Sequence, residues 1–199
     1  MNILVLGPQG SGKGTQAKLI RSTYGIAHIA TGDMIREIKE LPTDLGRELK
    51  AVYDRGDLVS DELMIRLIED RLSRGDTLPG FVLDGFPRTM PQAEALDGLL
   101  LEHERPLDVV LAFQVPDRDA LLQRMLKRAA EEQRSDDTPE AIERRLELYE
   151  RETAPLVEYY RTTRGNVVGV HADRPVEEVF EEIRHTLDQV QRRRNGAPA

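Results

Sequence analysis

Nine residues near the amino terminus, Gly7-Pro8-Gln9-Gly10-Ser11-Gly12-Lys13-Gly14-Thr15, have the types and spacing to hold a polyphosphate. Their glycines let backbone N–H groups turn inward without Cβ clashes. The five residues before them, Asn2-Ile3-Leu4-Val5-Leu6, read as a buried strand, and a helix is expected to start near Lys13. Strand, loop and helix together make an anion nest at a helix N-terminus, with Lys13 aimed at the outer phosphates. The common phosphate-loop pattern has Ser or Thr directly after the lysine, to reach magnesium. This chain has Gly14 there and Thr15 one place later.

A second string carries chemistry of a different kind. Phe81-Val82-Leu83-Asp84 is an apolar strand ending in a carboxylate, where phosphate-loop enzymes place an Asp that orients magnesium, often through water. It continues as Gly85-Phe86-Pro87-Arg88-Thr89-Met90-Pro91-Gln92. Pro87 stiffens the turn, Arg88 offers a planar fork for a phosphate, and Gln92 has the donor and acceptor needed to read an adenine edge. Further cations follow from helical phase. Arg124 and Arg128 lie four apart on one flank of the face made by Leu121, Leu122, Met125, Leu126 and Ala129, while Lys127 points nearly opposite. Such a pair reaches a cleft in some proteins and forms salt bridges in more. In the next helix Ile142, Leu146 and Tyr149 mark the buried side; Arg145 borders it and Arg144 faces water. The four histidines, at 28, 103, 171 and 185, show no ligand spacing and receive no role.

These residues need a frame. Apolar runs at Ile3–Leu6, His28–Ala30, Phe81–Leu83, Val109–Val115 and Asn166–Val170 alternate with helical patterns. That alternation predicts an α/β fold, a parallel sheet covered by helices on both faces, with ligands beyond the strand C-termini. Three helices and no strand are expected between Thr31 and Ser73, with Leu45, Leu49 and Val52 as the second helix's stripe and Leu63, Leu67 and Ile68 as the third's. Thr138-Pro139 supplies an N-cap and a first-turn proline, Ala154-Pro155 a kink, and residues 191–199 a frayed tail.

Composition narrows the class. At 199 residues the chain suits one core, and 39% apolar with 32% charged residues suits a soluble protein. No apolar run approaches the ~20 residues of a membrane span, and no basic segment precedes the first strand, so neither a membrane role nor a signal peptide is expected. Without cysteine, disulfides and thiolate metal sites are excluded, and a cytoplasmic home is the default. A net charge of −8 argues against a general nucleic-acid binder; an acidic shell around a basic cleft would suit small anions.

The form G-x-x-G-x-G-K-G-T, with the string Asp84–Gln92, resembles the nucleoside monophosphate kinases, and the adenylate kinases most of all. The resemblance runs from residue 2 to about 185 and rests on at least five motifs in order. It implies a P-loop fold with a central five-stranded parallel sheet, and reversible Mg²⁺-dependent transfer of ATP's γ-phosphoryl to AMP, giving two ADP. It also implies one kinase domain, with a core of 1–29, 60–127 and 138–199, a helical AMP-binding insert at 30–59 and a short lid at 128–137.

Residue by residue, the resemblance implies ATP binding by Gly10, Ser11, Gly12, Lys13, Gly14, Thr15, Arg128 and Arg124, the last stacking on adenine, with Arg174 of Asp173-Arg174-Pro175 acting through its backbone. AMP would meet Thr31 and Arg36 of Thr31-Gly32-Asp33-Met34-Ile35-Arg36. It would also meet Asp57-Leu58-Val59, and Gly85, Phe86, Pro87, Arg88 and Gln92. Without the resemblance Thr31 is only an N-cap and Arg36 a surface charge. Arg134 and Arg145 would clamp the moving phosphoryl group, Asp136 and Asp137 would pair with lid or cleft arginines, and Asp33 and Asp84 would organise magnesium's waters. The lid is the short form, without the four-cysteine zinc insert. Thr89 and Gln92 lean toward AMP, since relatives acting on UMP or CMP usually have Asn after the arginine. The chain departs from the pattern at Gln9, where Pro is frequent, at Ala30 for Ser, and at Gln133 for Gly. A monomer binding no nucleic acid or membrane is implied. A sister kinase with another acceptor and an inactive nucleotide-binding module are the alternatives.

Overall fold

A computed structural model describes residues 1–115, 117–132, 137–194 and 196. Its five strands, β1 (Asn2–Leu6), β2 (Ala27–Ala30), β3 (Phe81–Asp84), β4 (Val109–Gln114) and β5 (Val167–His171), form one sheet in the order β2-β3-β1-β4-β5. Every pairing is parallel, with Val5 opposite Asp84 and Ala30 opposite Asp84 on the other side. The sequence pattern anticipated all five strands, to within one or two residues at each end.

The central strand shows why its residues are all apolar after Asn2. Leu4 and Leu6 point into one core, with Ile29, Phe81, Leu83, Leu156 and Tyr160. Ile3 and Val5 point into the other, with Ala17, Val82, Leu111, Ile183 and Leu187. Alternate side chains of one strand thus bury on opposite faces, as a parallel sheet covered on both sides requires. Helices α1 (Lys13–Tyr24) and α9 (Val176–Arg194) supply the second face; α2 (Thr31–Lys39), α3 (Asp44–Asp54), α4 (Asp61–Leu72), α5 (Met90–Glu102) and α8 (Pro155–Arg164) supply the first. Helices α6 (Arg118–Glu131) and α7 (Pro139–Leu148) pack a small third cluster of Leu121, Met125, Ile142 and Leu146. No described helix is long and apolar enough to cross a membrane.

Four helical expectations shift by a residue or more. In α3 the buried side is Gly46, Leu49 and Tyr53, and Leu45 is exposed. The Thr43 side chain caps Gly46 N–H, and a Cβ on Gly46 would lie 2.3 Å from Leu41 O, so the backbone of α3 is drawn against the end of α2 and sets the phase. In α4 the buried positions are Met64, Ile68 and Leu72, an unbroken i, i+4, i+8 line, with Leu63 and Leu67 only partly covered. Between α7 and α8 the chain makes a π-helical turn over Tyr149–Thr153, in which Ala154 N–H reaches Tyr149 O at 2.8 Å. Pro155 has no N–H to give, and the wide turn accommodates it before the helix resumes. That turn moves Tyr149 from the expected buried side to the wall of a cleft. The C-terminal helix continues to Arg194, further than the frayed tail expected.

Candidate active site

The cleft opens where β1 and β3 end. It holds about 1490 Å³, solvent included, and takes in the phosphate loop, Lys13, Asp84, Gly85, Pro87, Arg88, Arg36, Arg124, Arg128 and Arg145. Gly10, Gly12, Gly14 and Thr15 line it; Ser11 is buried behind the loop, its hydroxyl 3.5 Å from Lys13 Nζ. Gly10 sits at φ +80°, and a Cβ there would come 2.9 Å from Leu121 O, so the loop passes tightly under α6. Among the described residues, seven Lys and Arg line the cleft against three acids, in a chain of net charge −8. This is the local basic focus expected for small anions.

Lys13 folds back over its own loop. Its Nζ donates to Gly7 O and Pro8 O, both at 2.7 Å. Burial pushes its pKa down to about 8, against the pull of Asp84. Burial pushes the Asp84 carboxyl up, but the His28 ring beside it and the charges of Lys13 and Arg88 outweigh that, leaving it below the ordinary carboxylate range. His28 Nε2 lies 3.8 Å from Asp84 Oδ2 and has no hydrogen-bond partner among the described residues. Arg88 is likewise pushed down by burial, and its Nε donates to Gly85 O at 2.7 Å. Its guanidinium stays charged.

The remaining cations are set by long-range partners. Asp137, almost fully buried, accepts from Arg128 at 2.5 and 3.1 Å and from Arg145 Nη1 through its other oxygen. Asp137, one of the two aspartates expected to pair with arginines, does so; Asp136 and Arg134 lie outside the described residues. Arg145 lies over the Tyr53 ring, 5.0 Å from its centre, and donates to Tyr53 O at 3.1 Å. Arg36 Nη1 donates to Tyr53 Oη at 2.9 Å and pairs with Asp33 on its own helix. Arg124 Nη1 donates to Ala172 O at 3.0 Å, past the end of β5. The phase argument is right about Arg145, which is buried, and incomplete about Arg144. Arg144 is exposed, yet its Nε donates to Asp57 Oδ1 at 3.1 Å, which with Arg55 holds the Asp57 carboxyl below its ordinary range.

A smaller pocket of about 290 Å³ adjoins the cleft, lined by Thr31, Ile35, Tyr53, Asp57, Leu58, Val59, Met64, Gly85, Arg88 and Gln92. Gly85, at φ +86°, passes so close to Thr31 that a Cβ would lie 2.5 Å from its hydroxyl. Among the described residues, four of those expected at the site, Ser11, Phe86, Asp137 and Arg174, do not line these spaces. The Phe86 ring is buried in the core, and the Arg174 side chain pairs with Glu182, on the surface.

The family model described as adenylate kinase matches residues 5–165. Curated adenylate kinases are similar over most of the chain. That of a Cyanothece strain is 44% identical over 188 residues, covering 94% of this chain and 95% of its own. That of Bifidobacterium longum is 47% identical over 179 residues, covering 90% and 95%. That of Methanothrix thermoacetophila is 40% identical over 216 residues, covering 96% and 100%.

The chain belongs to the adenylate kinase family.

It is accordingly a phosphotransferase that moves a phosphoryl group between adenine nucleotides on a P-loop fold. Three side chains that no sequence spacing singles out stand at the site: His28 and Tyr53 line the cleft, and Asp61 hydrogen-bonds Thr89 and Gln92. His28 gives no sequence signal because its companion, Asp84, stands on a different strand. Tyr53 gave only a weak signal, an aromatic four residues after Leu49 on a helix face. Asp61, which holds Thr89 and Gln92, looked like an ordinary first-turn acid of α4.

Proposed function

We propose that this cleft transfers the γ-phosphoryl group of ATP in line to a phosphate oxygen of AMP, and that the reverse step returns ATP from two ADP. The observation that carries the reading is the convergence of Lys13, Asp84, Arg88 and Arg145 on one cleft, beside a pocket containing Gln92. The bond from the γ phosphorus to the β–γ bridging oxygen breaks as a bond to the AMP oxygen forms. The acceptor oxygen is already ionised at neutral pH, so no general base is required. What must be overcome is repulsion between two polyphosphates, and positioning with charge stabilisation does that.

In this reading the loop N–H groups and Lys13 hold ATP, leaving the Gly7 and Pro8 carbonyls for its phosphates. Arg36 and Arg88 hold the AMP phosphate, and Arg128, Arg134 and Arg145 surround the transferring group. Arg124 and the backbone of Arg174 lie against ATP's adenine, and Thr31, Leu58 and Val59 against AMP's. Asp84 fits a hydrated Mg²⁺: it is an ionised carboxylate at the cleft floor, and no three potential ligands converge among the described residues. Mg²⁺ typically keeps its waters and binds through one or two carboxylates plus substrate phosphates. Asp84, with Asp33 further out, would hold it, and it would neutralise charge on the β and γ oxygens. The segments 30–59 and 128–137 act as the AMP-side insert and the lid that exclude water, on a core of 1–29, 60–127 and 138–199. A cytoplasmic setting fits a chain without cysteine, and a monomer is what the family resemblance implies.

A coupled assay with ATP, Mg²⁺ and each nucleoside monophosphate tests this. ADP formation with AMP alone is expected. Turnover with UMP or CMP would move the acceptor to a sister kinase's, and no turnover with any would leave a binding module.

A further inference from the structure

Gln92 is buried, and both ends of its amide are engaged. Arg88 N–H donates to Oε1 at 2.8 Å, and Nε2 donates to Asp61 Oδ1 at 2.7 Å. The same Asp61 oxygen accepts from Thr89 Oγ1 at 2.9 Å, and Thr89 Oγ1 accepts from Gln92 N–H at 3.4 Å. These partners are not interchangeable. A backbone N–H can only donate and an ionised carboxylate can only accept. Turning the amide over would set Nε2 against the Arg88 N–H and Oε1 against the Asp61 carboxylate. Both contacts would be repulsive.

We propose that Asp61 is a positioning residue that locks the Gln92 amide in one sense and so makes the acceptor pocket select a 6-aminopurine over a 6-oxopurine. This rests on the assignment of the smaller pocket to the acceptor base. An amide has two N–H donors and two lone pairs, so one of each stays available after Asp61 and Arg88 take theirs. Adenine presents an amino donor next to a ring-nitrogen acceptor, which the free lone pair and free N–H of Gln92 match. Hypoxanthine at its N1 edge presents the reverse, an oxygen acceptor next to an N–H donor. A glutamine free to turn over reads either base. One held at both ends reads adenine alone, because the oxopurine would leave polar groups unpaired in a buried pocket. The pocket's apolar walls, Ile35, Val59 and Met64, offer area but no discrimination.

The test is the ratio of kcat/KM for AMP to that for inosine monophosphate, in the wild type, Asp61→Ala, Asp61→Asn and Gln92→Leu. The wild type should use AMP and reject the oxopurine. Asp61→Ala should lower the ratio at least roughly tenfold, mostly by raising KM for AMP, since the hydrogen bond from Gln92 Nε2 to a charged carboxylate is lost. Asp61→Asn, which keeps the shape but can present either an oxygen or an amide nitrogen, should fall between. In the Gln92→Leu background, Asp61→Ala should change the ratio no further, the non-additivity expected of residues acting as a unit. Equal losses on both substrates, or an unchanged ratio in Asp61→Asn with Asp61→Ala unfolded, would make Asp61 a helix-start residue only and overturn the inference. A wild type that ignores AMP would instead overturn the assignment of the pocket.

Discussion

The two halves of the cleft are built by different means. The proposed donor side is nine consecutive residues of a glycine-rich loop, with a lysine folded onto the carbonyls of that loop. On the proposed acceptor side are side chains from α2, α3, α4, the β3–α5 turn and α7, several of them held by a partner far away in sequence. Arg145 meets Tyr53 across 92 residues, and Gln92 meets Asp61 across 31. A backbone site depends on few side chains. A side-chain site fails through its partners as readily as through its own members, and that asymmetry can be tested.

The largest effects should come from the buried arginines. Arg88→Ala and Arg145→Ala should each lower kcat by ~10³ to 10⁵, the range for charge-stabilising arginines in phosphoryl transfer, measured in single-turnover assays. Comparable losses in Arg144→Ala would break the distinction between the buried and exposed faces of α7.

Next is the pH dependence of the donor side. Lys13 has a pKa near 8 in the free protein, and a bound polyphosphate must raise it. The ATP association constant should therefore be flat below pH 8 and fall above it by up to about tenfold per unit, with uptake of a proton measurable by calorimetry in two buffers. Folding stability carries the opposite sign. Between about 8 and the ordinary lysine value near 10.5 the unfolded chain holds a proton that the folded chain has lost, so this residue's contribution to stability rises with pH. An ATP affinity level to pH 10 would show that the lysine is less buried when it works.

Tyr53→Phe sharpens the acceptor side. It removes only the hydroxyl that accepts from Arg36, and leaves the ring under Arg145. KM for AMP should rise about tenfold, from the loss of one hydrogen bond to a charged group, with kcat and KM for ATP nearly constant. A kcat loss instead would place Arg36 at the transition state.

The smallest change is expected for Arg144→Ala. Its bridge to Asp57 is half-exposed, and such pairs contribute about 0.2–1 kcal/mol. KM for AMP should rise two- to threefold at low salt, and the difference should vanish at high salt as the pair is screened. A salt-independent effect would mean that Arg144 acts on more than Asp57.

Much of the fold was legible because it repeats local rules. β1 sends alternate side chains into two cores, and Thr138 caps α7. Helix phase was less legible where backbone crowding overrode the apolar stripe, as at Gly46, or where a π turn changed the count before Pro155. Chemistry was legible in the donor loop and in the string Asp84–Gln92, contiguous segments whose residues meet wherever the chain goes.

Sequence alone marked the glycine-rich loop, the five strands, the carboxylate ending β3 and most of the arginines that line the cleft, because backbone geometry and period act over a few residues. Only the tertiary structure decided that His28 stands beside Asp84, that one buried Asp137 holds both Arg128 and Arg145, and that Asp61 grips Gln92. Those choices depend on which side chains the packed sheet and helices bring within 3 or 4 Å, and no spacing along the chain encodes that distance.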